Sequence, residues 1–308
     1  MKALIIGGGG FVGGYLADEL KTTGYDVYIT CLEKVDSAYV QFALDIREKD
    51  DISAILDDVN PDVIFHLAAQ SSVALSWKNP QLTAEINIIG AINLFEAVRE
   101  YEGNPRVIVV GSGEEYGYIS ENACPLKETE PLHPGNIYAA TKACQEMTAE
   151  IYARAYKLDI VMVRAFNHSG PKQDSIFVIS DFCRQIAEIE KGGKSPVITV
   201  GNLSAMRDFT DVRDIVRGYR LLAEKGKSGG IYNIGSGKAV SIQYILDTAL
   251  KLSTVEIAVE KDEKRMRASD IPIIEADTTK IYGDTGWKAE IAVEQTIEDT
   301  LDYWRKRN

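Results

Sequence analysis

Three glycines, Gly7, Gly10 and Gly13, follow directly on the apolar run 3–6 and open a helically spaced stretch, 11–20. Few folds use such a junction. The first glycine permits a tight turn out of a strand. The second lets the backbone approach a pyrophosphate, and the third lets helix and strand pack closely. The N-terminus of the helix then offers free N–H groups and a positive dipole end to an anion. The turn therefore predicts a strand–turn–helix unit that holds a dinucleotide through Gly7, Gly10, Phe11, Val12 and Gly13.

The rest of the chain continues the theme. Residues 26–32, 62–67, 106–110 and 159–164 read as strands, and 84–100 and 137–156 read as amphipathic helices between them. This alternation predicts an α/β fold: a Rossmann-type doubly wound parallel sheet with helices on both faces and right-handed connections. After Phe166 the pattern loosens into short elements punctuated by Gly170-Pro171, Gly192-Gly193, Gly229-Gly230 and Gly235-Ser-Gly237. The expected division is a dinucleotide-binding domain, 1–165, with a return segment at about 210–235. A smaller mixed α/β substrate-binding lobe would take 166–209 and 236–308.

The end of the second strand usually selects the dinucleotide, a carboxylate for ribose hydroxyls or a basic residue for a 2′-phosphate. Here it reads Ile29-Thr30-Cys31-Leu32-Glu33-Lys34, with both charges one step late. Thr30 and Cys31 are expected to line the adenosine site. The cofactor is NADP(H) or NAD(H), with a lean to NADP(H) because Thr30 and Lys34 can meet a phosphate.

Tyr138 and Lys142 stand four residues apart, on one face of a helix. An ammonium beside a phenol lowers its pKa from the usual value near 10. Ser112 follows the strand 106–110, where a hydroxyl can hold a substrate oxygen beside Tyr138. Together with the glycine turn, these residues point to proton transfer at a carbon that gains or loses hydride. A protein that only binds a dinucleotide has no need of all three.

Net charge is −12, which argues against nucleic acid or an anionic membrane as partner. No apolar run approaches the roughly 20 residues of a membrane helix. The first residues enter a strand without a signal-peptide pattern, so a cytoplasmic location is expected. The four cysteines are scattered and there are three histidines, so free thiols and no metal site are expected.

Several segments are similar to those of the extended short-chain dehydrogenase/reductase superfamily, in its nucleotide-sugar branch. They are Asp45-Ile46, His66-Leu67-Ala68-Ala69, Asn87, Gly111-Ser-Gly-Glu-Glu-Tyr-Gly117, Arg164-Ala-Phe-Asn-His-Ser-Gly-Pro171, Arg207-Asp-Phe-Thr-Asp-Val-Arg-Asp214 and Arg267-Ala-Ser-Asp-Ile-Pro272. Within that branch the chain most resembles the GDP-6-deoxy-D-mannose reductases. The resemblance implies adenine contacts from Asp45 and Ile46, and a cofactor-facing strand end at Leu67, Ala68 and Ala69. It places Asn167, Arg207 and Arg267 around a nucleotide diphosphate. Gln70, Ser71 and Ser72, at the carboxyl end of a strand, are expected hexose contacts. Trp77 and His66 are expected to be packing residues, and Asp211 and Asp214 structural ones.

The implied reaction is reduction of the C4 keto group of a GDP-4-keto-6-deoxy hexose to GDP-D-rhamnose. Tyr138 would give the proton, Lys142 would lower its pKa, and Ser112 would hold the oxygen. Glu114 stands where related GDP-mannose 4,6-dehydratases place an extra base, so dehydration of GDP-mannose stays open, as does UDP-sugar 4-epimerisation. Against dehydration, the chain is short and lacks an arginine-rich stretch after Gly170-Pro171. Two departures from the pattern are Ala268 for a proline and Lys172 for a glycine. The resemblance also implies a GDP-sugar partner and a homodimer formed through 84–100 and 137–156.

Overall fold

Strand β1, Lys2–Ile6, explains the layering of the whole molecule. Its alternate side chains enter two separate cores, Ala3 and Ile5 on one face, Leu4 and Ile6 on the other. A strand that is apolar on both faces must lie inside a sheet covered on both sides. The computed structural model, which describes residues 1–263 and 271–307, has this arrangement.

After β1 come α1 (Phe11–Thr22), β2 (Asp26–Cys31), β3 (Val40–Ala43), α2 (Lys49–Val59) and β4 (Val63–His66). Two short helices follow, α3 (Val73–Lys78) and α4 (Pro80–Ala84). A π-turn, Glu85–Ile89, then leads into α5 (Gly90–Glu100), so the single helix expected over 84–100 carries a π-turn. Next are β5 (Arg106–Val110), α6 (Ile137–Ala155), β6 (Ile160–Ala165) and β7 (Asn167–Ser169). The remainder comprises α7 (Val178–Glu190), β8 (Val197–Val200), β9 (Met206–Asp211), α8 (Val212–Lys225) and β10 (Ile231–Ile234). It ends with β11 (Ala239–Ser241), α9 (Ile242–Lys251), β12 (Ala258–Lys261), β13 (Ile273–Ile274), α10 (Thr279–Thr285) and α11 (Val293–Arg307).

The seven-stranded sheet runs β10-β6-β5-β4-β1-β2-β3, and every pairing in it is parallel. Chain order reverses between β1 and β4. Ligands of such sheets bind at the carboxyl ends of the strands beside that reversal. The first core joins α1 and α8 to one sheet face. The second joins α2 and α5 to the other.

A third core lies between α7, α9 and α11. Ile281 and Trp287, from the 236–308 segment, are fully buried in the sheet's first core. Trp287 donates its ring N–H to the Asp214 carbonyl at 2.9 Å. Tyr15 of α1 donates to the Pro171 carbonyl at 3.0 Å, tying the glycine-turn helix to the loop after β7. All four cysteines are free thiols. Among the described residues no helix is long and apolar enough to cross a membrane. None forms a cluster of histidine, cysteine and carboxylate side chains able to hold a metal.

Candidate active site

A cleft of about 1590 Å³ runs along the carboxyl ends of β1, β2, β4 and β5 and on to the edge of the third core. At one end is the glycine turn. Gly7 has φ +89°, and a Cβ there would stand 2.7 Å from the Ala68 backbone nitrogen. A Cβ on Gly13 would stand 2.6 Å from the Gly8 backbone. A Cβ on Gly10, by contrast, would meet only the Gly7 carbonyl at 3.4 Å and would fill open space beside the helix. Gly10 also caps α1, which has no side-chain cap and no acid in its first turn. The first N–H groups of α1 are therefore left for an anion. Phe11, Val12, Leu67, Ala68, Ala69, Asp45 and Ile46 line the same end. Shape and donors together fit the pyrophosphate and adenosine of a dinucleotide.

At the adenosine end Lys34 departs from expectation, whereas Thr30 lines the cleft. Thr30 is buried, and its hydroxyl accepts the Gly7 N–H at 3.2 Å, so it braces the turn. Cys31 and Glu33 line the cleft, whereas Lys34 does not. Arg47 also lines it and pairs with Asp45 at 2.6 Å, which holds that carboxyl below its usual range.

Ser112, Glu114, Tyr138 and Lys142 line the middle of the cleft. Ser112 begins a 3-10 turn, Gly113–Tyr116, just beyond β5. Its Oγ accepts the Glu114 N–H at 3.2 Å, which leaves the hydroxyl proton free to donate. Tyr138 sits in the first turn of α6, capped by Asn136, whose Oδ1 accepts the Ala139 N–H at 2.8 Å. The Tyr138 N–H is itself held by Ser76 Oγ at 3.2 Å. Burial raises the phenol well above its usual pKa. The Ser112 hydroxyl pulls it down, and Glu115 and Glu114 push it up.

Lys142 is buried one turn further along α6. Its ammonium donates to Gln145 Oε1 at 2.8 Å, and Gln145 is tied to the Val110 carbonyl at 3.2 Å. Burial also lowers the pKa of Lys142 itself, and Glu115 opposes that shift. His66 is buried, with its pKa lowered to about 3, chiefly by burial and then by Lys142.

The two acids after Ser112 part company. Glu114 stands in the cleft, and its Oε2 accepts from Asn136 Nδ2 at 3.1 Å. Glu115 is fully buried and accepts the Ser112 N–H at 2.6 Å.

Ser71, Ser72, Asn167 and Arg207 also line the cleft. Arg207 is buried and donates through Nη1 to the Met206 and Ile271 carbonyls at 2.8 and 2.7 Å. Asp208, on the opposite face of β9, accepts the Ser236, Gly237 and Ala276 N–H groups. Arg267 lies outside the described residues. Lys172 does not line the cleft, whereas Gln173 does. Asp211 pairs with Arg213 at 2.7 Å, and Asp214 accepts the Glu290 and Ile291 N–H groups.

Two expectations are corrected here. Gln70 does not line the cleft. Asn87, in the π-turn, grips the Gln70 backbone at 2.8 and 3.1 Å. The Gln70 side chain is then turned onto Ser72 and Thr83. Trp77, expected to pack, is 58% exposed and lines the cleft. Its neighbour Ser76 docks α3 onto α6, so the next residue faces outward. Sequence reasoning also missed Gln145 and Glu115; an acid directly behind Glu114 was the one available signal.

Taken together, the arrangement can donate a proton at an oxygen in the cleft. Lys142 is buried one helical turn along from the phenol, and a dinucleotide cradle lies at the other end. The family described as GDP-mannose 4,6 dehydratase matches residues 4–300. The GDP-6-deoxy-D-mannose reductase of Pseudomonas aeruginosa is 31% identical over 263 residues, 85% of this chain and 86% of that one. The UDP-glucose 4-epimerase of Mycolicibacterium smegmatis is 29% identical over 321 residues, 100% of both. The solved structure of RMD from Pseudomonas aeruginosa complexed with NADPH matches with a TM-score of 0.89 and 29% identity, over 100% of both chains.

Proposed function

The chain belongs to the GDP-mannose 4,6-dehydratase family, in the nucleotide-sugar branch of the extended short-chain dehydrogenase/reductase superfamily, and from that premise we propose that it reduces the C4 keto group of GDP-4-keto-6-deoxy-D-mannose to GDP-D-rhamnose. The cofactor is NADPH or NADH. The observation that carries this reading is that Ser112, Tyr138 and Lys142 all line the cleft that ends at the glycine turn. The nicotinamide, when bound, supplies the hydride. Ser112 orients the C4 oxygen and Tyr138 gives it the proton, so carbon and oxygen each gain one hydrogen. Lys142 holds a positive charge one helical turn along from Tyr138. Arg207 and Asn167 meet the diphosphate, and Arg267 completes that set. Arginine suits the task because its planar fork matches phosphate oxygens. Between Glu33 and Arg47 lies the choice of NAD(H) or NADP(H).

Purified protein given GDP-4-keto-6-deoxy-D-mannose is expected to consume NADPH or NADH, read as loss of nicotinamide absorbance. An unchanged signal would sink the reductase reading. GDP is expected to raise the melting temperature more than UDP does; the reverse order would favour a UDP-sugar 4-epimerase.

One observation favours a second reading. Glu114 lines the cleft beside Ser112 and Tyr138, where a dehydratase would need a base at C5. Under the reductase reading Glu114→Gln leaves kcat nearly unchanged. Under the dehydratase reading, GDP-mannose with catalytic NADP is turned over, and the same variant loses roughly 10²–10⁴-fold.

The protein is a homodimer in this reading, paired through α6 and its neighbour. Met147 and Ile151, one turn apart on α6, are exposed, as is Ile89 in the π-turn. Sedimentation is expected to give a dimer for the native chain and a monomer for Met147→Glu/Ile151→Glu. A native monomer would refute the pairing.

A further inference from the structure

Glu115 is a buried acid that the proposed mechanism leaves unused. Its Oε1 accepts the Ser112 N–H at 2.6 Å, completing a capping box with the Ser112 hydroxyl. The backbone closes over it, since a Cβ on Gly111 would stand 2.4 Å from Oε1. Among the described residues its Oε2 has no hydrogen-bond partner. Capping a turn requires no such burial, and a buried carboxylate with a lone oxygen is unfavourable compared with an apolar side chain. The neighbouring charges show what it faces. Lys142 and Glu146 approach from α6 and Arg164 from β6. Glu146 is already committed to Arg164, at 2.6 and 2.9 Å. From β4 the neutral His66 adds no charge to the group.

We propose that Glu115 is a positioning residue: it fixes the Ser112 main chain, and with it the hydroxyl beside Tyr138. The inference rests on the reduction proposed above. Burial drives the Glu115 carboxyl up and the Lys142 ammonium down, and each opposes the shift of the other.

Two variants test this role. Glu115→Leu loses both the acceptor and the charge. Its kcat for GDP-4-keto-6-deoxy-D-mannose should fall about 10- to 100-fold, short of the loss from deleting an oxyanion donor outright. KM should stay near the wild-type value. Glu115→Gln keeps an acceptor for the Ser112 N–H and should recover most of kcat. A wild-type kcat in Glu115→Leu, or no recovery in Glu115→Gln, would overturn the proposal. If Glu115→Leu does not fold, the melting temperatures of Glu115→Gln decide.

A substrate-free measurement keeps this test apart from that of the reaction. A carboxyl whose folded pKa is raised contributes stability at low pH and loses it as pH rises through the folded value. Glu115→Gln should therefore gain in melting temperature over wild type as pH rises from the ordinary carboxylate range to about 8. If that gain appears while the wild type turns over no keto sugar, the proposed reaction fails and the placement of Glu115 stands. A flat difference refutes the placement.

Discussion

Tyr138→Phe is expected to cut kcat for the keto sugar roughly 10²–10⁴-fold, the span of a positioned general acid. The substitution removes one oxygen and keeps the ring, the α6 cap at Asn136 and the Ser76 grip on the Tyr138 N–H. Cofactor affinity, measured by fluorescence titration with NADPH, should remain close to wild type because the glycine turn is untouched. The pH dependence has a sign as well. Burial outweighs the Ser112 contact, so the phenol stays protonated through neutral pH, which suits a proton donor. Deprotonation at high pH should remove activity, and no acidic limb should come from this residue. Unchanged turnover in Tyr138→Phe would remove Tyr138 from the mechanism. Lost turnover together with lost NADPH binding would reassign it to cofactor binding.

Gly7→Ala should damage cofactor binding and fold together. At φ +89° an L-residue is strained by about 1–2 kcal/mol. The added Cβ would also press on Ala68 backbone atoms at 2.7 and 2.9 Å, which cannot swing aside as a long side chain could. Overpacking of this sort costs about 1–3 kcal/mol. A stability loss of about 2–5 kcal/mol follows. The loop can relieve the clash only by moving away from β4, which would also move the α1 N–H groups from the anion they meet. NADPH affinity should then fall at least about tenfold, or 1.4 kcal/mol. Denaturant unfolding and NADPH titration measure the two effects. Native values in both would show that the Gly7–Ala68 approach is not as tight as described. Gly10→Ala makes a useful contrast, because its Cβ meets little protein: affinity should suffer and stability should not.

Much of the fold was legible because its signals are local. A strand buried on two faces reads as an apolar run, and β1, β4, β5 and β6 all fall within a residue or two of their expected bounds. The glycine turn was legible because its glycines answer steric demands inside one strand–turn–helix unit. The site was less so. Ser112, Tyr138 and Lys142 do meet one cleft, but the Gln145 partner of the Lys142 ammonium was not legible, because spacing sets a helix face and not a side-chain rotamer. Gln70 and Trp77 exchanged their expected positions for non-local reasons. Asn87 pulls the first inward, and the docking of Ser76 on α6 turns the second out.

The family's sheet, its dinucleotide turn and the identity of the Ser–Tyr–Lys group were determined by the sequence by itself, since periodicity, glycine sterics and helical spacing act over a few residues. Tertiary structure alone decided which of two adjacent acids, Glu114 and Glu115, faces the cleft and which lies buried beneath Ser112. It also decided what the Lys142 ammonium touches. Both depend on where β5, β6 and α6 converge, and burial there, which sets the protonation of each group, is a property of packing between distant segments.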